Sequence, residues 1–407
     1  MTNTTDTISP ADPRFWSGDR DRYAQFAALR AQGPVLWHDE PSTEWFPDGG
    51  RGFWSVTRYD DVVTVSRDQD TFTSGLGTEI VDMPADMVHI FGGMLNMSGA
   101  EHTRHRAIVN RVLTPRSVEA LSDTIRAHAV RSIERVRGRG ECDFMADIVG
   151  DFPAQVICEL LGVPAPDRDR LIELTGVALV QYGTATAYEA MLEIIAYAED
   201  LIAKARTNAE DSAAFLQKLL GAKIDGEGMT DHEIAVFFAL LVTAGIETTA
   251  TSIGHGLYAL SQYPDARRKW QENFHELAPR AIEEIVRWVS PVMHFRRTAT
   301  RDTEVAGQKI ARGDKVVIWY LSANRDDAVF ERPDELDFDR PEQPHVAFGG
   351  GGPHFCLGAI LARKEMNIFY EELFNRLPDI TVAGDPVRLH SNFVNGIASL
   401  PVTFTPA

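Results

Sequence analysis

The stretch "HVAFGGGGPHFCLGAILARKE", residues 345–365, sets one cysteine after four consecutive glycines and just before an apolar, helix-like run. The glycines first suggest a phosphate cradle. A Walker loop needs Lys and Ser/Thr after the last glycine, where Pro353 and His354 stand. The GxGxxG spacing also fails, because His354 and Phe355 occupy the positions three beyond Gly351 and Gly352. A structural zinc needs four ligands, and no CxxC or second close Cys/His pair accompanies His354 and Cys356. No local protease signature surrounds the thiol, and an inert buried cysteine would use none of these features. A thiolate beneath an iron macrocycle uses them all. Glycine lets the backbone approach a flat ring. Amide N–H groups at Leu357 and Gly358, where the helix begins, can temper the sulfur's charge. Haem ligated by Cys thiolate pushes electron density toward O–O cleavage.

The remaining chain bounds this reading. Its 407 residues suit two or three domains of ~150 residues, or one large one. Apolar residues are 44% and charged residues 24%, enough for a large core. A net charge of −19 argues against nucleic acid or anionic membrane as a partner. The opening "MTNTTDTISPADPRFW" lacks the basic-then-apolar order of a signal peptide. The longest apolar run, residues 234–246, falls short of the ~18 residues of a membrane span and reads as a buried core helix. Cys142, Cys158 and Cys356 are far apart and odd in number, as in a reducing compartment. A cytoplasmic protein without a membrane anchor is expected.

Along the chain, 20–32 has helical spacing and 52–68 reads as a strand followed by a short helix. Residues 101–264 are mostly helical, broken at Pro115, Pro153 and "GVPAPD". A capping box at Thr230–Glu233 and the Tyr263-Pro264 stop bound a helix of some 32 residues, near 48 Å at ~1.5 Å each. A shorter helix over 278–290 stops at Pro291, strands follow over 303–326 with a turn at "RGD", and a Pro-rich meander fills 331–345. The chain closes on a hairpin-like 392–404 with Asn395-Gly396 as the turn. One mostly α (α+β) domain over 1–407 is expected, with small sheets near the chain ends and a loose segment over 1–20.

The cysteine loop resembles the haem-binding loop of the cytochrome P450 monooxygenases, FxxGxxxCxG, through Phe348, Gly351, Cys356 and Gly358. Eight steps separate Phe348 from Cys356 instead of the commoner seven, so Gly351 and Gly352 are alternatives. This longer loop is similar to that of bacterial sterol and methyl-branched-lipid hydroxylases. Three further motifs stand in family order. "AGIETTA" matches the oxygen-binding groove [AG]Gx[DE]T[TS], which implies that Ala244 and Gly245 admit dioxygen while Thr248 and Glu247 manage oxygen and protons. "EEIVR" places Glu284 and Arg287 on one helix face, and the resemblance implies a buried brace completed by Arg340 of "LDFDR". "AEHTRHRAIVNR" places His102 and Arg106 on one face; the family implies that they hold a haem propionate, with Arg297 and His345, and with Arg296 as the alternative to Arg297.

The resemblance implies a P450 fold, haem b with Cys356 as its iron ligand, and hydroxylation of an apolar molecule by O2. Electrons would come from a separate ferredoxin and ferredoxin reductase. Basic Arg104, Arg106, Arg111, Arg116, Arg363 and Lys364 would offer the dock on an acidic protein. Substrate contacts carry over to Leu240, Thr243, Ala244, Val292, Met293, Phe393 and Val394, with Met94 and Leu95 nearby. Their apolar character favours a sterol, terpenoid or branched lipid. Thr243 leaves open a natural-product tailoring oxidase acting on a macrolide or peptide, and a non-catalytic haem-binding protein is the remaining alternative.

Overall fold

The longest helix shows how the chain sets its own boundaries. Thr230 accepts the Glu233 N–H while the Glu233 carboxylate accepts the Thr230 N–H, a closed capping box. From there the helix runs Asp231–Gln262, the full 32 residues expected, until the chain turns at Pro264. A computed structural model describes residues 8–17, 21–43, 45–180, 184–208, 210, 212–341 and 344–407. In it this helix is long and apolar enough to cross a membrane, yet most of it is buried inside the protein.

It is α11 in the order α1 (Arg22–Gln32), α2 (Tyr59–Arg67), α3 (Ala85–Gly92), α4 (Gly99–Asn110), α5 (Pro115–Glu119), α6 (Ser122–Glu134), α7 (Phe152–Leu161), α8 (Ala165–Val180), α9 (Ala185–Thr207), α10 (Ala214–Gly221), α11, α12 (Pro264–Glu272), α13 (Phe274–Val289), α14 (Tyr320–Ala323) and α15 (Ala359–Arg376). Helices α7, α9, α13 and α15 lie against α11. Two glycines make this closeness attainable. A Cβ at Gly254 would sit 2.3 Å from the Met145 sulfur, and one at Gly256 would sit 2.1 Å from the Tyr370 hydroxyl. That hydroxyl donates to the Ile253 carbonyl at 2.8 Å, pinning α15 to α11.

The strands are β1 (Val35–His38), β2 (Phe53–Val56), β3 (Phe72–Thr73), β4 (Glu141–Asp143), β5 (His294–Ala299), β6 (Thr303–Val305), β7 (Gln308–Ile310), β8 (Lys315–Trp319), β9 (Thr381–Val382), β10 (Val387–Arg388), β11 (Ile397–Ser399) and β12 (Pro401–Thr403). One five-stranded sheet, ordered β1-β2-β8-β5-β3, joins the N-terminal strands to β5 and β8. Only β2 and β8 in it run parallel, with Phe53 opposite Lys315. The other sheets are β4-β12-β9, β6-β7 and β10-β11.

Four expectations change. The segment expected to be loose over 1–20 buries Phe15 and Trp16 against Phe26 and Trp319, while residues 1–7 and 18–20 lie outside the described residues. Strand β4 interrupts the stretch read as helical, because β12 supplies its distant partner. Helix α13 begins four residues earlier than expected and carries Pro279 near its start, where the preceding turn leaves little to break. Asn395-Gly396 is not a two-residue hairpin turn. Strand β11 pairs back to β10, β12 pairs with β4 and β9, and the Asn395 side chain is buried.

The four glycines also have a use that the sequence reading did not include. Gly349, Gly351 and Gly352 adopt φ of 102°, 86° and 80°. A Cβ at Gly350 would fall 2.5 Å from the Ser66 hydroxyl, and one at Gly352 would fall 2.7 Å from the Ser66 carbonyl. Bare backbone therefore lets the loop turn left-handed and seat on the end of α2. Gly352→Ala should cost roughly 1–3 kcal/mol in urea unfolding. Gly138→Ala, whose added Cβ meets nothing within 4 Å, should leave the midpoint almost unchanged.

Candidate active site

Cys356 sits just before α15, and its N–H donates to the Phe348 carbonyl at 2.8 Å, closing the glycine loop. Its thiol opens into an internal cavity, so it is accessible there while lying deep in the protein. Burial raises the thiol pKa; the amides of Gly358 and Ala359 and the charges of Arg106 and Arg363 oppose that rise. The amide donors are one residue beyond the expected Leu357–Gly358 pair, because Gly358 is the N-cap and Ala359 the first helical residue.

The loop is held from two sides by adjacent glutamates of α13. Glu284, almost fully buried, accepts from Arg287 at 2.7 and 2.8 Å and from Arg340 at 3.1 Å. Arg287 also donates to the Asn324 carbonyl at 2.7 Å, and the Asn324 side chain accepts the Val346 N–H at 2.8 Å, where the loop starts. The expected brace is therefore assembled. Glu283 accepts from Arg363 at 2.5 and 2.8 Å and lies 3.1 Å from His345. The Arg363 guanidinium in turn lies 4.3 Å from the Phe348 ring centre. Although burial opposes it, Arg363 and His345 hold the Glu283 pKa down to about 2.

That pairing commits the His345 ring, expected at the propionates, to Glu283. His354, two residues before the thiol, has its ring stacked on His102, with centres 4.0 Å apart. Burial first, then Arg106 and Arg297 among the neighbouring charges, lower the pKa of His102 to about 4 and that of His354 to about 2. His102 Nδ1 and His354 Nε2 have no partner among the described residues. Arg296 is committed elsewhere, to Asp82 at 2.6 Å and to the Leu76 carbonyl at 3.1 Å. Arg297 is buried, donates to the Arg296 carbonyl at 2.9 Å and to the Tyr320 hydroxyl, and has no carboxylate partner among the described residues. Arg106 donates to the Phe355 carbonyl.

The cavity above Cys356 is lined by Leu240, Ala244, Thr248, Val292, Met94 and Leu95, all expected. Gly245 also lines it and lets Ile157 come close, since a Cβ there would lie 2.8 Å from that side chain. Thr243 does not line it: the hydroxyl donates back to the Ala239 and Leu240 carbonyls at 2.9 and 3.2 Å, one residue around the helix from the cavity face. Met293 points away into the core beside Val317 and Trp319, since extended chain alternates its sides after Val292. Phe393 packs on His294 and Phe295, and Val394 bridges to Val292, so both stand behind the wall. Phe237 and Leu241 do line it, and their helical spacing to Ala244 and Thr248 was a readable signal. Phe295 comes from β5 and had no comparable mark.

Glu247 is off the cavity face and accepts from the Thr251 hydroxyl at 3.4 Å; burial raises its pKa. Thr248 donates to the Ala244 carbonyl at 2.7 Å. A second acid, Glu365 of α15, lines the cavity, is buried, and is held well above the usual carboxylate range by burial, with Thr249 opposing. Its mark in the sequence is a charge at the i+4 position between apolar Leu361 and Phe369.

The family model that matches, over residues 184–377, is Cytochrome P450. A methyl-branched lipid omega-hydroxylase of Mycobacterium bovis is 40% identical over 402 residues, covering 96% of this chain and 93% of that one. A steroid C26-monooxygenase of Mycolicibacterium smegmatis is 38% identical, over 94% and 90%. The structure of a Mycobacterium marinum cytochrome P450 in complex with pseudoionone superposes with a TM-score of 0.90 at 38% identity, over 98% and 99%. These matches, with one cysteine facing an apolar cavity in a mostly helical fold, place the chain in a haem-thiolate class of protein. The chain belongs to the cytochrome P450 family, with its fold, its haem-thiolate cofactor and its monooxygenase activity.

Glu284→Ala leaves two guanidiniums without their buried carboxylate and should cost roughly 3–5 kcal/mol in urea unfolding. Glu283 has a depressed folded pKa, so its contribution is present above the ordinary carboxylate range and lost as pH falls toward about 2. Glu283→Gln should therefore flatten the acid limb of a stability–pH curve below about pH 4.5, read from urea midpoints.

Proposed function

We propose that Cys356 is the iron ligand of this monooxygenase and that its substrate is a sizeable apolar lipid, sterol or terpenoid. The observation that carries the first half is the pairing of one cavity-facing thiol with His102, Arg106, Arg297 and His354, which have no acid partner among the described residues. A buried guanidinium with no counter-charge is costly, and the two carboxylates of haem would supply it. The residues present therefore fit the group. Haem held there by Cys356, His102, Arg106, Arg297 and His354 would supply the redox-active iron for the oxygen chemistry.

The chain's own part is positioning and proton handling. Arg363, stacked on the Phe348 ring, and the Gly358 and Ala359 amides steady the negative charge of the thiolate. Ala244 and Gly245 keep the α11 wall low, and Thr248 lines the cavity with its hydroxyl donated to the Ala244 carbonyl at 2.7 Å, so that its oxygen can still accept there. Glu247 holds a proton more tightly than an exposed carboxyl and passes it toward Thr248. We read 1–407 as one domain, because α11 and α15 bury side chains against both earlier and later segments.

The substrate class rests on the cavity wall: Phe237, Leu240, Leu241, Val292, Phe295 and Met94 are apolar. Two relatives named for a methyl-branched lipid and for steroids agree with it. The tailoring-oxidase alternative rested on Thr243, whose hydroxyl is taken up by its own helix. Electrons are proposed to come from a ferredoxin and its reductase. The basic dock loses much of its support, because Arg104 pairs with Glu233, Arg363 with Glu283 and Lys364 with Glu119, while Arg111 donates to the Lys223 carbonyl.

Cys356→His should abolish the red-shifted Soret band that thiolate ligation gives the reduced carbon monoxide complex; a retained band removes the assignment. Thr248→Ala and Glu247→Gln should keep haem content and substrate affinity while diverting electrons to peroxide, read as product per reductant consumed. Sterols, terpenes, branched fatty acids and macrolides titrated against the ferric protein should divide cleanly. The first three should produce the low-to-high-spin shift, and a shift from macrolides alone would overturn the lipid reading.

A further inference from the structure

Residues 74–98 form a strap between β3 and α4 that sends Met94 and Leu95 into the cavity. Its two ends are tied together: the Ser98 hydroxyl lies 2.7 Å from the Thr73 hydroxyl and accepts the Ser74 N–H at 3.1 Å. The strap is also fastened to both walls of the cavity. On the β5 side the Arg296 N–H donates to the Thr78 carbonyl at 2.6 Å. The Arg296 guanidinium donates to the Leu76 carbonyl at 3.1 Å and to Asp82 at 2.6 Å, and Lys315 of β8 holds the same carboxylate at 2.6 Å. On the α11 side, Gly93 takes a φ of 46° and lies so near the helix that a Cβ would meet the Val236 side chain at 2.9 Å.

Between these fastenings stands Asn96, almost fully buried. Its amide nitrogen donates to the Val88 carbonyl at 2.6 Å, and its oxygen accepts the Thr78 hydroxyl at 2.9 Å. The Val88 carbonyl can only accept, which fixes the way the amide points. Gly92 lies against that amide, where a Cβ would meet Nδ2 at 2.0 Å. One side chain thereby joins the residue held by β5, the helix α3, and the turn Gly93–Asn96 that carries Met94 and Leu95. Lifting the strap would leave a buried carbonyl, hydroxyl and amide unmet, which is costly. Asn96 does not line the cavity and acts through its neighbours.

The cavity walls offer an apolar chain no polar handle. Met94, Leu95, Leu240, Leu241, Val292 and Phe295 are all apolar, so shape alone orients such a chain. Chemistry then sets a default outcome. A terminal methyl C–H bond is stronger than a methylene C–H, and a tertiary C–H is weaker still. A chain free to slide would therefore react within its length. A strap pinned to α11 on one side and to β5 on the other bars the chain from lying across and favours entry by its end.

We propose, resting on the reading of the substrate as an apolar lipid, sterol or terpenoid, that Asn96 is a positioning residue: it fixes how far Met94 and Leu95 project, so that the chain enters end-on and is hydroxylated at its terminal carbon. One oxygen atom of O2 enters the terminal C–H bond. The other leaves as water, with two protons and the two electrons that the redox partners deliver.

The test reads the site of oxidation in the haem-loaded enzyme, a ratio that a general loss of stability does not move. The probes are an iso-branched saturated fatty acid and its unbranched isomer, with products separated by mass spectrometry. Wild-type enzyme should give mostly the terminal alcohol from both. Asn96→Ala should lower the ratio of terminal to internal alcohol roughly tenfold, the discrimination that one methylene of fit supplies, with haem content unchanged. From the branched acid the internal product should appear at the tertiary carbon. Thr78→Val, of nearly equal shape, removes only the bond to the Asn96 oxygen and should move the ratio the same way by less. It decides the matter should Asn96→Ala fail to fold. Met94→Ala shortens the wall directly and should shift the ratio as well. Mostly internal alcohol from the wild type overturns end-on entry. An unchanged ratio in Asn96→Ala and Thr78→Val overturns the role of Asn96, whether or not Met94→Ala shifts it. Neither spin shift nor product from any lipid, sterol or terpenoid overturns the substrate reading, and the positioning role falls with it.

Discussion

Glu284 holds two guanidiniums inside the protein, and none of the three groups can be left unpaired cheaply. That constraint fixes more than a pair of helices. Arg287 spans from α13 to the carbonyls of Asn324, Pro333 and Glu335, and Arg340 returns to the Arg332 and Glu335 carbonyls. Chain that has no regular structure of its own is thereby given fixed hydrogen-bond partners. Through Asn324 the same network reaches Val346, so the start of the cysteine loop is set by a buried charge. The glycines then decide how the loop turns, and α2 decides where it rests.

Charge is distributed unevenly around the cavity, and the imbalance is informative. A protein with a net charge of −19 keeps acids away from His102, Arg106, Arg297 and His354, although acids pair with most of its other buried cations. Arg296 and Arg297 are adjacent in sequence and diverge completely. The strand sends one toward Asp82 and the other toward the histidine pair. A dianionic cofactor fits this shortage of negative charge. The same contrast explains why His345 and His354, both near the cysteine, have different neighbours.

Helix α11 carries three functions on three sides. One side is apolar and forms the cavity wall, one is glycine-rich and lets Met145 and Tyr370 close in, and one carries Glu247 and Thr251 beneath the C-terminal loop. An amphipathic surface helix needs only two faces. A helix surrounded by protein can give each neighbour its own face, which accounts for a sequence that is apolar in general and polar at chosen positions.

Much of this was legible in the sequence. The α11 capping box, the proline stops, the Glu284–Arg287 spacing and the isolated cysteine are local patterns, and local patterns encode helix limits and chemical type directly. They were enough to read a haem-thiolate monooxygenase and its central helix. Contacts between distant segments were not legible, because no local spacing records them. Only the fold could stack His354 on His102 while His345 turns to Glu283, separate Arg297 from Arg296, and place Met293, Phe393 and Val394 behind the cavity wall. Thr243 shows the limit most sharply: one residue, 100° around a helix, separates a cavity-lining side chain from a hydroxyl bonded to its own backbone. The sequence determined which groups the protein has, and the tertiary structure decided which of them meet.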